Sequence, residues 1–208
     1  MRITTVLVSR SKACHVKTLH TVMKLNIHCV RRGWANEIVF CNDDPFKKAE
    51  IIQKLSKTYD RIVFIDFGIH MDEQSIEQVF ETYEGCGCLV FPAATEGIDW
   101  SLFKKKVLED SKEPVHQMGL HFDTEVGKKI KDDLYHVTST HPRCWVMMCK
   151  TTRKRLGDTK LTNYDKMFEK LKEYGVKVYA WTAANIVTTY AHECISNIMN
   201  AAGVRASA

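Results

Sequence analysis

The sequence predicts an α/β chain, a doubly wound and mostly parallel sheet flanked by helices in a single domain. Three observations carry this expectation. Apolar, β-branched runs alternate with amphipathic helical stretches through the first half of the chain. The third such run, RIVFIDF (61–67), is almost continuously apolar, as expected of a strand covered on both faces. No repeat, low-complexity segment or linker interrupts the 208 residues, a length that supports one sizeable core.

The elements follow in order. ITTVLVS (3–9) reads as a first strand by its β-branched content. Residues 16–32 repeat apolar side chains at helical spacing (Leu19, Val22, Met23, Ile27, Val30), and Gly33 ends the helix. NEIVFCN (36–42) is a second strand, and Pro45 opens the next helix. The strand 61–67 follows. Asp72 then caps EQSIEQVFETY, whose Ile76, Val79, Phe80 and Tyr83 form one stripe. CLVFPAA (88–94) is the fourth strand. This β-α-β-α-β-α-β order predicts parallel pairing with right-handed crossovers.

The second half is less regular. WSLFKKKVLEDS reads as a helix, and 113–141 as loops with short pieces, given Pro114, Gly119 and Gly127. RCWVMMCK (143–150) is a strand, 163–175 a helix ended by Gly175, and 176–182 a strand. A tail helix is expected from about Ala191.

Composition narrows the function classes. The net charge of +5 suits an anionic ligand such as a nucleotide, and equally a solvated lysine-rich surface. The basic residues are too dispersed for a nucleic-acid-binding face. No stretch reaches the roughly 20 apolar residues that span a bilayer. No small-residue cleavage site follows the first apolar run, so a cytoplasmic protein is expected. The eight cysteines show no zinc spacing, and several sit in apolar runs, as reduced core thiols do.

Polar residues gather where strands end: Ser9 and Arg10, then Asn42, Asp43 and Asp44, then Asp66. Parallel strands bring these ends to one crevice, the place where such sheets bind ligands. An arginine there holds a diphosphate through its fork. A carboxylate after the second strand accepts from a base N–H or a ribose hydroxyl. A carboxylate after the third can hold Mn²⁺ or Mg²⁺ against phosphate oxygens. Asp43 and Asp44 before Pro45 are also ordinary turn and cap residues. Asp66 ends a long apolar strand, where a charge needs a partner. Neither G-x-G-x-x-G nor a P-loop occurs.

The order TTVLVSRSK, EIVFCNDD, RIVFIDFGIHMDEQSI resembles the nucleotide-sugar-binding half of GT-A-fold glycosyltransferases. That resemblance implies a nucleotide-binding half at 1–95 and an acceptor-side half at 96–208. It implies transfer of a sugar from a UDP- or GDP-linked donor to a glycan or glycoprotein acceptor. The family's third-strand motif is D-x-D and binds Mn²⁺; here it reads Asp66-Phe67-Gly68. Glycine cannot ligate, so a metal rests on Asp66 with help, or binds weakly, or is absent. The block from Leu161 to Glu193 resembles the family's later motifs. It implies Asp165 as the base in an inverting reaction, although a carboxylate opening a helix is also favoured by the macrodipole. It implies His192 as a further metal or diphosphate contact. Trp100 stands where the family places loops around the donor sugar, and an aromatic ring suits the apolar face of a pyranose. The sequence is also similar to the compact glycosyltransferases of large algal DNA viruses. That would place it in host cytoplasm, acting on capsid glycans. The rivals are a non-catalytic nucleotide-sugar-binding module, favoured by Gly68, and a nucleotidyltransferase, disfavoured by the absence of glycine from SRSKACHVK.

Overall fold

The computed structural model describes residues 1–95, 98–112, 115 and 118–189. An eight-stranded mixed sheet forms its centre, in the order β2-β1-β3-β8-β5-β9-β7-β6. Here β1 is Arg2–Ser9, β2 Ala35–Asn42, β3 Arg61–Ile65, β5 Cys86–Val90, β6 Thr124–Lys131, β7 Leu134–Thr140, β8 Cys144–Met148 and β9 Lys177–Trp181. A two-stranded antiparallel ribbon pairs β4 (Ile69–Met71) with β10 (Ile186–Thr188).

Helices cover both faces. α1 (Val16–Arg31) and α3 (Glu73–Gln78) pack with the core that holds Leu7, Val63 and Leu89. α2 (Pro45–Thr58), α5 (Cys149–Leu156) and α6 (Met167–Glu173) cover the opposite core around Val6, Phe64 and Trp145. α4 is Trp100–Leu108. β3, β5 and β8 are buried at every position, the state that continuous apolar runs predict.

The first three strands pair in parallel, as expected, and β1 lies between β2 and β3. The sheet departs from uniform parallel order beyond β3. β8 inserts antiparallel between β3 and β5. An apolar run buried on both faces has no direction written in it, so periodicity does not reveal this. The fourth strand starts two residues earlier than the expected 88–94 and stops before Pro92, which has no N–H to donate.

Two further expectations are corrected. Within 113–141 stands a hairpin, β6–β7, turned by Asp132 and Asp133, whose register shifts along its length. β6 is the outermost strand, exposed at all but its first residue and rich in lysine, so it has no buried face to produce alternation. The helix expected over 163–175 begins only at Met167. His192 and the tail helix lie outside the described residues.

Candidate functional site

The parallel register aligns the ends of β1, β2 and β3: Ser9 pairs with Asn42, and Leu7 with Ile65. The residues that follow therefore meet at one edge of the sheet. Arg10 donates from Nε to Asp43 Oδ2 at 2.8 Å. Lys48, on the first turns of α2, bonds the other oxygen of Asp43. Burial acts to raise the Asp43 pKa, but Lys48 and Arg10 outweigh it and hold the carboxyl below its usual range. Asp44 has the other role. Its side chain caps α2, accepting from the Lys47 N–H at 2.7 Å. Ser9 spends its hydroxyl on the Cys41 carbonyl at 3.4 Å.

Asp66 is buried and partnered. Its Oδ1 accepts from the Phe67 N–H at 2.8 Å, and its Oδ2 from Arg143 Nε at 3.2 Å. Arg143 also donates from Nη2 to the Phe67 carbonyl at 2.8 Å. The Phe67 ring lies 5.4 Å from the Arg10 guanidinium and meets His15 edge-on at 5.8 Å. Phe67 thus joins both arginines. Behind Arg143 stands Asp123, which accepts from the Ala93 N–H, the Thr124 hydroxyl and the Arg143 N–H. Its burial raises its pKa, and those bonds with the Arg143 charge offset this only in part.

Gly68 is required where it stands. Its φ is +79°, and a Cβ there would lie 2.8 Å from the Thr189 carbonyl oxygen. The described residues therefore do not fit a divalent metal on a D-x-D pattern. One carboxylate is bonded to arginine, and the second has neither the backbone nor the room to exist. No group of three metal-ligating side chains occurs among the described residues.

Asp165 is exposed and lies two residues before α6 rather than in its first turn. Its N–H donates to Asn163 Oδ1 at 2.8 Å. The neighbouring Tyr164 anchors this turn: its ring stacks on Phe64 at 4.9 Å, and its hydroxyl accepts from Trp145 and donates to the Pro142 carbonyl. Lys48 Nζ sits 5.2 Å over that ring while bonding Asp43. Tyr164 and Lys48 thereby link the Asp165 turn to the Arg10–Asp43 pair. Trp100 opens α4, 69% exposed, and meets Phe103 edge-on. A cavity of about 650 Å³ lies elsewhere, along α2 against Leu161, and neither Arg10, Asp66 nor Arg143 lines it.

Arg143, Asp123, Lys48 and Phe67 are the site residues that sequence reasoning misses. Lys48 and Phe67 adjoin residues it singles out. Arg143 directly precedes an apolar strand, and only the antiparallel sense of β8 brings that flank to the crevice.

No protein family matches the chain by sequence profile. No curated protein matches it either. Solved structures do. A197 from STIV superposes with a TM-score of 0.50 at 15% identity, covering 91% of this chain and 86% of that one. A Drosophila β1,4-galactosyltransferase 7 mutant, in complex with manganese, UDP-Gal and xylobiose, gives 0.43 at 14% identity over 87% of this chain and 65% of that one. A glycosyltransferase involved in glycosylation of the major capsid of PBCV-1 gives 0.41 at 8% identity, over 86% and 81%. Nucleotidyltransferases are also among the similar structures. No described helix is long and apolar enough to cross a membrane. The chain shares its fold, a mixed sheet covered by helices on both faces, with A197 from STIV.

Proposed function

We propose that the chain is a glycosyltransferase that uses a UDP- or GDP-linked sugar and acts on a glycan or glycoprotein, as in viral capsid glycosylation. The observation that carries this reading is the pair of arginines joined through Phe67 at the strand ends. Arg10 keeps both terminal nitrogens without a protein partner among the described residues, and Arg143 keeps Nη1. These donors suit a diphosphate, and they stabilise the charge that develops on it as it leaves.

Asp43 sits where a base or ribose contact is needed, and Ser9 lines the same edge. Trp100 offers an aromatic face to the sugar. Asp165 takes the proton from the acceptor hydroxyl as its oxygen bonds to the anomeric carbon and the bond to the diphosphate breaks. The reading assigns the diphosphate charge to arginine, because Asp66 positions Arg143 and Gly68 offers no ligand. Manganese or magnesium, with His192 as a contact, is the alternative that the same experiment resolves.

That experiment is calorimetry with UDP-glucose, UDP-galactose, UDP-N-acetylglucosamine and GDP-mannose, each with Mn²⁺ and with chelator. Selective binding that survives chelation supports the reading. Binding that requires Mn²⁺ moves the charge role to a metal. No binding at all overturns it. Turnover of a bound donor separates a transferase from a non-catalytic module. Formation of a nucleotide sugar from a sugar phosphate and a nucleoside triphosphate would mark a nucleotidyltransferase instead.

A further inference from the structure

The amphipathic helix α1 carries its apolar stripe on the outside. Its buried face is formed by Thr18, Thr21, Val22, Leu25, His28 and Cys29. Of the five apolar residues noted for their helical spacing (Leu19, Val22, Met23, Ile27 and Val30), only Val22 is buried. The others point to solvent: Leu19 is 43% exposed, Met23 58%, Ile27 49% and Val30 69%, and Val16 extends the row at 77%. The row runs the whole helix, about 24 Å at 1.5 Å per residue. It occupies one side because positions 16, 19, 23, 27 and 30 advance by three or four residues at each step.

The apolar surface continues beyond the helix. Phe40 pairs in register with Leu7, and Leu7 shares a core with Val22, Leu25 and Cys29. Strand alternation therefore puts Phe40 and Ile38 on the α1 side of β2, the outer strand, where they are 60% and 40% exposed. The other flank of the stripe carries Lys17, His20, Lys24 and Arg31, which lie along one side of the helix. The nearest carboxylates are already paired, Glu73 with Lys24 and His28, and Glu77 with His28 and Arg32.

We infer that this face docks onto an anionic lipid surface. An apolar row edged by lysine and arginine is the pattern of a helix lying in the plane of a bilayer interface, with its apolar side among the acyl chains and its cations at the headgroups. Charge complementarity points to this occupant. Two such helices packed antiparallel on the same row would bring their basic flanks together, whereas anionic headgroups neutralise them. The row begins at Val16, beside His15, whose ring packs on Phe67 at the strand-end crevice. Docking thus sets the crevice next to the lipid surface. The inference does not depend on which transfer reaction that crevice performs.

The test is sedimentation of the full chain with phosphatidylcholine vesicles, with and without phosphatidylserine. Binding is expected only with phosphatidylserine, and high salt should release it. Met23→Glu and Ile27→Glu should each lower partitioning at least about tenfold. Lys17→Glu and Arg31→Glu should each lower it about fivefold or more. All four positions are exposed, so the variants should keep the parent's melting temperature. No binding to phosphatidylserine vesicles overturns the inference, as does equal binding to both lipids. A dimer in sedimentation velocity that Met23→Glu dissociates would also overturn it, by naming a second copy as the occupant.

Discussion

Thr189 donates its backbone N–H to the Gly68 carbonyl at 2.8 Å, and its own carbonyl oxygen stands 2.8 Å from where a Gly68 Cβ would lie. The turn after β3 and the residue after β10 are thereby locked together through glycine. Gly68→Asp rewrites the motif as D-x-D but should not create a metal site. The left-handed backbone costs a non-glycine residue about 1–2 kcal/mol, and the clash with Thr189 adds to that. The expected outcome is a lower melting temperature with no gain in Mn²⁺ affinity, read by thermal unfolding with and without the metal. A stable variant with tight new Mn²⁺ binding would show that the turn rearranges.

The Asp66–Arg143 pair makes a second prediction. Both side chains are largely shielded from water, and each holds the other in place. Arg143→Met leaves a shielded carboxylate without its cation and should destabilise by about 2–4 kcal/mol. Asp66→Asn should cost less, and the double variant should be more stable than the sum of the single losses predicts. Arg143→Lys should recover part of the stability but less of the nucleotide-sugar affinity, because lysine lacks the planar fork. Chemical denaturation of the four proteins, with donor titration of each, checks this. Additive losses would reduce the pair to two independent residues.

The sequence makes the fold legible wherever burial writes a pattern. β1 to β3 and their parallel order follow from apolar runs separated by helical periods. Direction is not written in such runs, so the antiparallel β8, and Arg143 with it, stays hidden. The exposed edge strand β6 writes no pattern either, and the hairpin it forms with β7 reads as loop. The apolar row of α1 makes the helix legible but does not say which side of it faces the core. Spacing shows that a row exists; the facing is set by how the helix packs on the sheet. In the candidate site, Asp43 and Asp66 were visible as charges at strand ends. Their division of labour with Asp44 and Arg143 depends on which neighbour each oxygen reaches.

The pairing of Asp43 predicts an acid-side pH dependence. Its folded pKa lies below the ordinary value of 3.8, so the unfolded chain binds the proton more readily. The stability that Asp43 contributes is complete above that ordinary value and is lost as pH falls through the folded one. Asp123 has the opposite sign. Its pKa is raised, so its contribution is greatest at low pH and fades as pH rises through the folded value. The wild-type curve is therefore composite, and Asp43→Asn isolates one component. Its melting temperature should fall below that of the parent near neutral pH and converge with it as pH falls through the folded value. A gap that persists in acid would mean that the variant disturbs packing rather than charge.

The thiols offer a test of the core itself. All seven described cysteines are unpaired, and all but Cys14 are buried. Burial pushes Cys29 and Cys41 up to about 11, and Cys86 and Cys149 up to about 12. Cys88 and Cys144 rise as well, for the same reason. The thiolate is the reactive form, so these six lack both access and nucleophile near neutral pH. Cys14 is half-buried on the short turn between β1 and α1, and its pKa is raised by burial with a smaller opposing bond from the backbone. In a Cys194→Ser background, Ellman's reagent should find one fast thiol in the native protein, and Cys14→Ser should remove it. The remaining six should react only at the rate of unfolding, which denaturant accelerates. Additional fast thiols without denaturant would mean that the core opens locally in the native protein.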